Sequence, residues 1–434
     1  MHLWKEFVKY TSLNVLGMLA LSCYILADTF FVSQGLGTNG LTALNLAIPI
    51  YSFIHGSGLM IGMGGATKYT IFRSRGDIAA GHRSFTHAVY LAVCFAVFFV
   101  LLGLFLPGRI IGLFGAEGEV WEMGTVYLRV ILLFAPAFLM NNVLLCFVRN
   151  DGAPQLSMAA MITGSLSNVV LDWVFIFPCR MGMFGAAFAT GLAPLISMGV
   201  LSVHFLRRRQ QFTFQFQRPR LRTAGGILSS GVPSLVTEVS SGIVMIVFNA
   251  IILGLEGNVG VAAYGVIANL SLVVLAMYTG IAQGVQPLFS RGYGRGDGKS
   301  LRSILRYALL TMLMLSALIY GVVALFAPQI AGAFNSEGNA ALQSIAERGM
   351  RLYFLACPFA GFNVILSMFF TSTERPAPAH VISLLRGFVL IIPLALALSA
   401  VAGMTGVWCA FPVTELLCAA FGMVWLGGLM RRGR

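Results

Sequence analysis

Long runs of apolar residues alternate with short polar stretches along almost the whole chain. A membrane-spanning helix needs about 20 mostly apolar residues, and at that window length the pattern predicts twelve spans. The connections between them are too short to form a soluble domain. The predicted spans cover residues 11–33, 41–68, 86–107, 123–148, 155–178, 184–206, 227–254, 260–288, 303–327, 347–371, 379–400 and 404–430. The fold class is therefore predicted to be an all-α polytopic membrane protein.

Composition agrees with this interpretation and narrows the possible partners. Charged residues make up 10% of the 434 positions, whereas a soluble domain has about 25%. The net charge of +13 could suggest a nucleic-acid partner, but the basic residues lie in short stretches between apolar runs, as topology signals do. The seven cysteines have no spacing typical of a metal site or a disulfide framework. We therefore expect neither a nucleic-acid partner nor a structural metal.

The basic residues also predict the orientation of the chain in the membrane. With the termini and the even-numbered loops on one side, that side carries 22 Lys and Arg residues and the opposite side carries 5. Positively charged loops stay in the cytoplasm. We therefore predict a multi-pass protein of the cell (inner) membrane with both termini cytoplasmic.

The two halves of the sequence repeat each other with a shift of about 220 residues. The residues Gly37, Gly40 and Ala43 match Gly257, Gly260 and Ala263, and the tripeptide at 75–77 returns at 295–297. Six helices per half in the same orientation indicate a parallel repeat about an axis along the membrane normal. The pattern therefore predicts two pseudo-symmetric six-helix lobes around a central cleft. The predicted units are an N-lobe (1–206), a basic cytoplasmic linker (207–222) and a C-lobe (223–434).

Two acids in the N-lobe are the leading candidates for a functional site. A charged side chain at the bilayer centre costs at least about 2.5–3.5 kcal/mol on insertion scales, yet Asp28 and Asp172 both lie well inside predicted spans. Asn168 lies one helical turn before Asp172 on the same face, and Thr190 lies at a similar depth in the sixth span. Such a group can bind H⁺ or Na⁺; the alternative is a structural hydrogen bond between helices. We expect no other cofactor.

A second, weaker set of candidates lies near the interface between the repeats. Glu238 either faces the cleft and attracts cationic substrates or caps a local polar network. Further candidates for the cleft are Asn141, Tyr264 and Asn363, although most such residues pack ordinary helices. Glu415 is expected to be structural, and Arg386 is expected to pair with an acid or to extend toward the cytoplasm.

Several of these residues fall in motifs whose order and spacing resemble the multidrug and toxic compound extrusion (MATE) transporters over essentially the whole chain. The motifs are ADTFFV (27–32), G-x-x-G-L-x-A (37–43), VRNDGAP (148–154) and SNVVLDWVFIF followed by GAAFAT. The resemblance implies an N-lobe site that couples transport to H⁺ or Na⁺. Its positions match Asp28, Asn168, Asp172 and Thr190. Some members bend the first helix at a proline, but residues 11–33 contain none, so that bend is not expected here.

Together these features predict a cation-coupled antiporter that exports small organic compounds, with cationic ones favoured, by alternating access. The alternative is a lipid or polysaccharide-precursor flippase of a related two-lobe fold, which would need a more basic cleft. An enzyme is not expected, because the loop at 293–300 lacks the first glycine of a phosphate-binding loop and no catalytic motif is present. The expected partners are organic substrates and membrane lipids, and we expect the chain to function as a monomer.

Overall fold

The computed structural model describes residues 2–335 and 338–432, and the described residues form helices and loops without a strand. Residue 1 of the predicted N-lobe and residues 336, 337, 433 and 434 of the predicted C-lobe lie outside these ranges. In the first half the helices are α1 (His2–Ser74), α2 (Ile78–Phe105), α3 (Pro107–Leu113), α4 (Gly118–Leu133), α5 (Ala135–Asn150), α6 (Pro154–Ile176) and α7 (Gly182–Leu206). In the second half they are α8 (Leu221–Gly294), α9 (Gly298–Phe334), α10 (Ala340–Tyr353), α11 (Cys357–Ser372), α12 (Pro376–Leu384) and α13 (Ile391–Arg432).

Three of these helices are each two spans joined at a glycine. The break in α1 is Gly37 (φ 67°), that in α8 is Gly257 (φ 63°), and that in α13 is Gly403 (φ 57°). Glycine adopts positive φ without the steric cost that a Cβ atom adds, so the chain can reverse there without a long loop. Helices α4 and α5 meet at a bend of 48° and form one span.

Other spans combine shorter helices. A 3₁₀ turn (Phe354–Ala356) joins α10 to α11, and a π-helical turn (Leu385–Val389) joins α12 to the first part of α13. Counted in this way, the described residues form twelve spans in two six-helix lobes, which confirms the predicted fold class. The helices extend past the predicted spans, and α8 begins two residues before the predicted C-lobe. The difference arises because a helix can continue into polar sequence after its apolar run ends.

The sequence repeat is also a structural repeat. Gly37 and Gly257 share one backbone conformation. Asp77 accepts a hydrogen bond from the backbone N–H of Ala80 at 2.9 Å, and Asp297 accepts one from the N–H of Ser300 at 2.9 Å. Each acid therefore caps the N-terminus of the helix that follows it, so the matching motifs have the same structural role in both lobes.

Each lobe has its own apolar core. One buried cluster takes its residues from positions 32–212, and the other takes most of its residues from positions 248–410. The second cluster also contains Phe7 and Tyr10 from the start of α1. The first span therefore starts against the C-lobe core and continues into the N-lobe, so it contacts both lobes.

The linker between the lobes is extended and is attached to the N-lobe. Phe212 is fully buried in the N-lobe core. Alternate backbone N–H groups of the linker donate to N-lobe side chains, as expected for a strand-like period of two. These bonds run from Gln211 to Asp151, from Thr213 to His82, from Gln215 to Thr86 and from Gln217 to Tyr90.

The lobes touch on one side of the membrane. An even number of spans places both chain ends on the same side, which we call the terminal face; the other side is the distal face. Near the terminal face a Cβ atom at Gly231 would lie 1.8 Å from the backbone oxygen of Met60, and one at Gly64 would lie 2.0 Å from that of Ile227. The second and seventh spans therefore pack backbone against backbone, which only glycine permits.

This contact predicts the effect of a single added methyl group. Gly231→Ala should lower the melting temperature of the purified protein, because overpacking of this kind costs about 1–3 kcal/mol. Gly225→Ala is the matched control in the same helix, since its Cβ would meet open space; it should leave the melting temperature unchanged or raise it slightly. Equal effects of the two substitutions in a thermal unfolding assay would contradict the close approach.

Candidate functional site

The two N-lobe acids lie side by side. Asp28 is in the first span and Asp172 is in α6; both are buried, with 8% and 0% of their surface exposed. Their carboxyl groups are close enough to interact with each other directly. The helices can come this close because Gly35 of the first span lies against Ile176 of α6.

The other two predicted site residues complete the group. With its amide oriented so that nitrogen faces the carboxylate, Asn168 donates to Asp172 Oδ2 at 3.0 Å and accepts from the backbone N–H of Thr190 at 3.2 Å. The hydroxyl of Thr190 donates to the carbonyl of Ala186 at 3.1 Å. The structure therefore brings all four residues together from three helices.

The chemistry of this group follows from its unsatisfied oxygens. Asp28 Oδ1 and Asp172 Oδ1 are buried and have no hydrogen-bond partner among the described residues. Two adjacent carboxylates in a dry site repel each other unless a proton or a cation lies between them. Carboxylate, amide and hydroxyl oxygens are also the ligand type that hard cations prefer. The described residues contain no cluster of three or more His, Cys, Asp or Glu that could hold a metal ion.

Three tyrosines beside the acids were not among the sequence candidates for the ion site. The hydroxyl groups of Tyr24 and Tyr51 are 2.8 Å apart, and Tyr127 of α4 lies close to Thr190. Tyr24 precedes Asp28 by one helical turn, so their shared face was readable from the sequence. For Tyr51 and Tyr127 the sequence carries no such signal.

A cavity of about 90 Å³ lies next to this group, mostly within the N-lobe. Its walls include Tyr24, Tyr51, Asn141, Thr190 and the buried Arg149. Asn141, predicted for the cleft, therefore faces the cavity, and its Oδ1 atom has no hydrogen-bond partner among the described residues.

Glu238 lies at the contact between the lobes. Its Oε2 atom is 3.4 Å from Nδ1 of His55, which also lines the cavity. The side chain of Glu238 is 33% exposed. The acid is thus part of a local polar contact and still accessible from the cleft.

The remaining two cleft candidates lie inside the C-lobe and do not line the cavity. Tyr264 packs between Phe248 and Trp408, with ring centroids 5.6 Å and 6.2 Å away. Phe248 occupies the position that repeats Asp28, 220 residues later, so an aromatic cluster replaces the acid site in the C-lobe.

Asn363 belongs to an ion-pair network in the same lobe. It donates to Glu415 Oε2 at 2.7 Å, and Arg386 pairs with Glu415 at 2.8 Å. A buried acid with both an arginine and an amide partner is fully compensated. Glu415 and Arg386 therefore act as each other's structural partner.

Polar contacts between the lobes extend from the terminal face to mid-membrane. Lys68 and Arg75 of the N-lobe pair with Glu374 of the C-lobe at 2.7 and 3.3 Å. Deeper, Gln286 donates to Thr67 at 2.9 Å and accepts from Asn150 at 2.8 Å. Among the described residues, the inter-lobe hydrogen bond nearest the distal face is that of His55 with Glu238. The polar contacts between the lobes in the described part of the chain therefore lie between the terminal face, which they close, and mid-membrane.

The bridge at Glu374 is stable at neutral pH. Partial burial alone would raise the pKa of Glu374, but the hydrogen bond from Lys68 and the charges of Lys68 and Arg75 outweigh it and lower the pKa. A carboxyl group with a depressed pKa keeps its stabilising contribution above its ordinary pKa and loses it only as the pH falls further. The closure therefore persists through the physiological range.

The acid pair predicts how stability should depend on pH. Asp28→Asn removes the repulsion between the two carboxylates. At pH 8–9 without Na⁺ the variant should therefore melt at a higher temperature than the wild type, by about 2–4 °C for each kcal/mol of repulsion removed. The difference in melting temperature should be smaller at pH 5, because a bound proton removes the repulsion between the carboxyl groups in the wild type as well. Thermal unfolding of both proteins across this range tests it; parallel profiles would show that the two carboxyl groups do not interact.

The whole chain resembles solved transporter structures. One, described as the outward-facing conformation of a multidrug resistance MATE family transporter of the MOP superfamily, superposes with a TM-score of 0.91 over 98% of this chain and 95% of that chain, at 24% identity. Another, from Pyrococcus furiosus, is a MOP superfamily transporter described as having a binding pocket of reverse polarity. It gives a TM-score of 0.90 at 25% identity, over 98% of this chain and 95% of that one.

Curated relatives agree with the structural match. The multidrug export protein MepA of Staphylococcus saprophyticus is 24% identical over 423 residues, which is 97% of this chain and 93% of its own length. MepA of Staphylococcus aureus strain MRSA252 is 22% identical over the same shares. The sequence profile of the MatE family matches residues 15–174 and 233–397, well over half of the chain. The chain therefore belongs to the MatE family, the multidrug and toxic compound extrusion (MATE) transporters, which are membrane transporters and not enzymes.

Proposed function

We propose that this protein is an H⁺- or Na⁺-coupled antiporter that exports organic compounds from the cytoplasm by alternating access. The observation that carries the proposal is the contact between the buried carboxyl groups of Asp28 and Asp172, each with an oxygen that lacks a hydrogen-bond partner among the described residues. The names of its relatives, multidrug export proteins, support drug-like compounds as the cargo. The coupling ion is the only cofactor in this account.

The proposed direction of transport follows from the charge distribution. The terminal face holds 22 of the Lys and Arg residues by sequence, or 21 without the buried Arg149, against 5 on the other side, so we assign it to the cytoplasm of the cell membrane. The cleft then opens to the outside while the cytoplasmic side is closed by Glu374 and its two partners. In this state cargo can leave and an external ion can enter.

Coupling requires that the ion bind one state of the protein more tightly than the other. An ion at the acid pair cancels the repulsion between the first span and α6. The first span also places Phe7 and Tyr10 in the C-lobe core. A shift of this span therefore changes the packing of both lobes. Ion entry thus favours cargo release, and ion loss to the cytoplasm resets the cleft.

The cargo site in this account is the cavity and the adjoining cleft. Tyr24, Tyr51 and Phe138 supply aromatic surface, and aromatic faces attract organic cations. Glu238 adds a partly exposed negative charge at the edge of the cavity. These groups favour amphipathic cargo with a positive charge.

A lipid or polysaccharide-precursor flippase is the second candidate, because Arg149 places a positive charge in the cavity wall. Lipid-linked precursors carry phosphates, which several cations usually hold together. The cavity wall among the described residues has one arginine and the titratable His55. We therefore favour an organic cargo, handled by a chain that works as a monomer among membrane lipids.

Replacing one acid tests the proposal. Asp172→Asn should reduce gradient-driven efflux of a fluorescent cation such as ethidium from proteoliposomes by at least about a hundredfold, as expected when the coupling group itself is lost. The pH gradient and the Na⁺ gradient are imposed in separate experiments, and the gradient that accelerates efflux identifies the coupling ion.

The matched control is Asp297→Asn, which removes an exposed acid but keeps a good helix cap. It should transport ethidium at the wild-type rate. Full efflux by Asp172→Asn would exclude the acid pair as the coupling site, and failure of the wild type to respond to either gradient would favour lipid-linked cargo.

A further inference from the structure

Arg149 is a buried cation without an acidic partner. It lies in the last turn of α5 with 2% of its surface exposed, and among the described residues no carboxylate is within ion-pair distance of it. The other arginine in the protein interior, Arg386, has Glu415. Burying a charge is costly unless it is paired and hydrogen-bonded. Glu415 compensates the burial of Arg386, whereas no acid in the described part of the chain compensates the burial of Arg149.

The partners that Arg149 does have are neutral. One terminal nitrogen donates to Asn14 Oδ1 at 2.8 Å and to Gln283 Oε1 at 3.0 Å. The other faces Met63 Sδ at 3.1 Å and Cys146 Sγ at 3.7 Å, and sulfur is a weak acceptor. The Nε–H group has no acceptor among the described residues. The guanidinium can therefore still donate two strong hydrogen bonds.

These donors belong to a cavity with further unsatisfied polar atoms. Asn141 Oδ1 and Ser197 Oγ also line it and, like Arg149 Nε, lack hydrogen-bond partners in the described part of the chain. The volume of about 90 Å³ exceeds the roughly 10–15 Å³ that one water needs. It is smaller than the roughly 300 Å³ or more of a pocket for a whole drug-sized molecule. The cavity can therefore take one end of a larger ligand.

We propose that Arg149 is an anion subsite that binds the carboxylate end of an organic cargo. The inference rests on the proposed export function and makes the cargo zwitterionic: the carboxylate lies at Arg149, and the aromatic, positively charged part lies toward Tyr51 and Glu238. Arginine suits this role because its planar fork donates two parallel hydrogen bonds to a carboxylate.

The position of Gln283 explains how the subsite loads. Among the described residues that line the cavity, Gln283 is the only one from the C-lobe, and it accepts a hydrogen bond from Arg149 while the terminal face is closed. When the lobes part at that face, Gln283 leaves with the C-lobe and Arg149 faces the opening. A carboxylate entering from that side then replaces the lost amide oxygen.

Two dyes that differ only in whether their carboxyl group is free or esterified test whether Arg149 binds the carboxylate. Rhodamine 110 carries a free carboxyl group, and rhodamine 123 is its methyl ester. Binding of each dye to the purified full-length protein is measured by fluorescence polarisation in gluconate buffer. The proteins are the wild type, Arg149→Gln, Arg149→Lys and the control Arg302→Gln, which removes an exposed positive charge.

We expect Arg149→Gln to change the affinity for rhodamine 110 only. Arg149→Gln should weaken rhodamine 110 binding about tenfold or more, as loss of a charged hydrogen-bonded pair does, and change rhodamine 123 binding less than twofold. Arg149→Lys should recover part of the loss, and Arg302→Gln should match the wild type. Equal weakening of both dyes by Arg149→Gln, or no weakening of either, would overturn the subsite and leave the proposed export function intact. Binding of neither dye by the wild type would count against both.

A measurement on the wild type covers the case in which Arg149→Gln fails to fold. Benzoate should compete with rhodamine 110, whereas benzamide, which has the same shape without the charge, should not. Equal competition by the two compounds would overturn the proposal. Competition by chloride as strong as that by benzoate would also overturn it, because the site would then hold an inorganic anion only.

Discussion

Two neighbouring carboxylates inside a helical bundle repel each other unless a proton or a cation lies between them, and much of this structure follows from that constraint. Asp28 and Asp172 come from different helices, so their repulsion acts on the packing of the first span against α6. The first span in turn reaches the core of the other lobe through Phe7 and Tyr10. A change of one charge at the site can therefore alter the relation between the lobes.

The contacts within and between the lobes differ in a way that suits this role. Each lobe buries its own apolar side chains, and this burial energy would be lost if the lobe opened. The lobes instead meet through close glycine packing and through polar side chains such as Gln286, Asn150 and Glu374. Polar groups exchange these partners for water at small net cost. The lobes can therefore separate as bodies while their interiors stay intact.

Hydropathy alone predicted the twelve spans, and the repeat predicted the two lobes, because both depend on the order of residue types. The four residues at Asp28 could be predicted because an acid in an apolar run is rare and because Asn168 and Asp172 share a helical face. Tyr264 and Asn363 show the limit: in a helix that is apolar all round, the pattern does not say which face meets the cleft. Arg149 ends an apolar run, so in the sequence it looks like any other basic topology signal, and its burial depends on neighbours far apart in the sequence.

The central claim is that the acid pair binds an ion, and infrared difference spectroscopy of the purified protein tests it most directly. Two steps are applied separately, one from acidic to alkaline pH and one from zero to saturating Na⁺. If the pair exchanges a proton, the pH step should remove the stretching band of a protonated carboxyl group in a dry environment. If the pair prefers Na⁺, the Na⁺ step should shift the carboxylate bands. Either signal should be absent from the Asp28→Asn, Asp172→Asn double variant. A signal that survives in the double variant, or the absence of any signal in the wild type, would contradict the account.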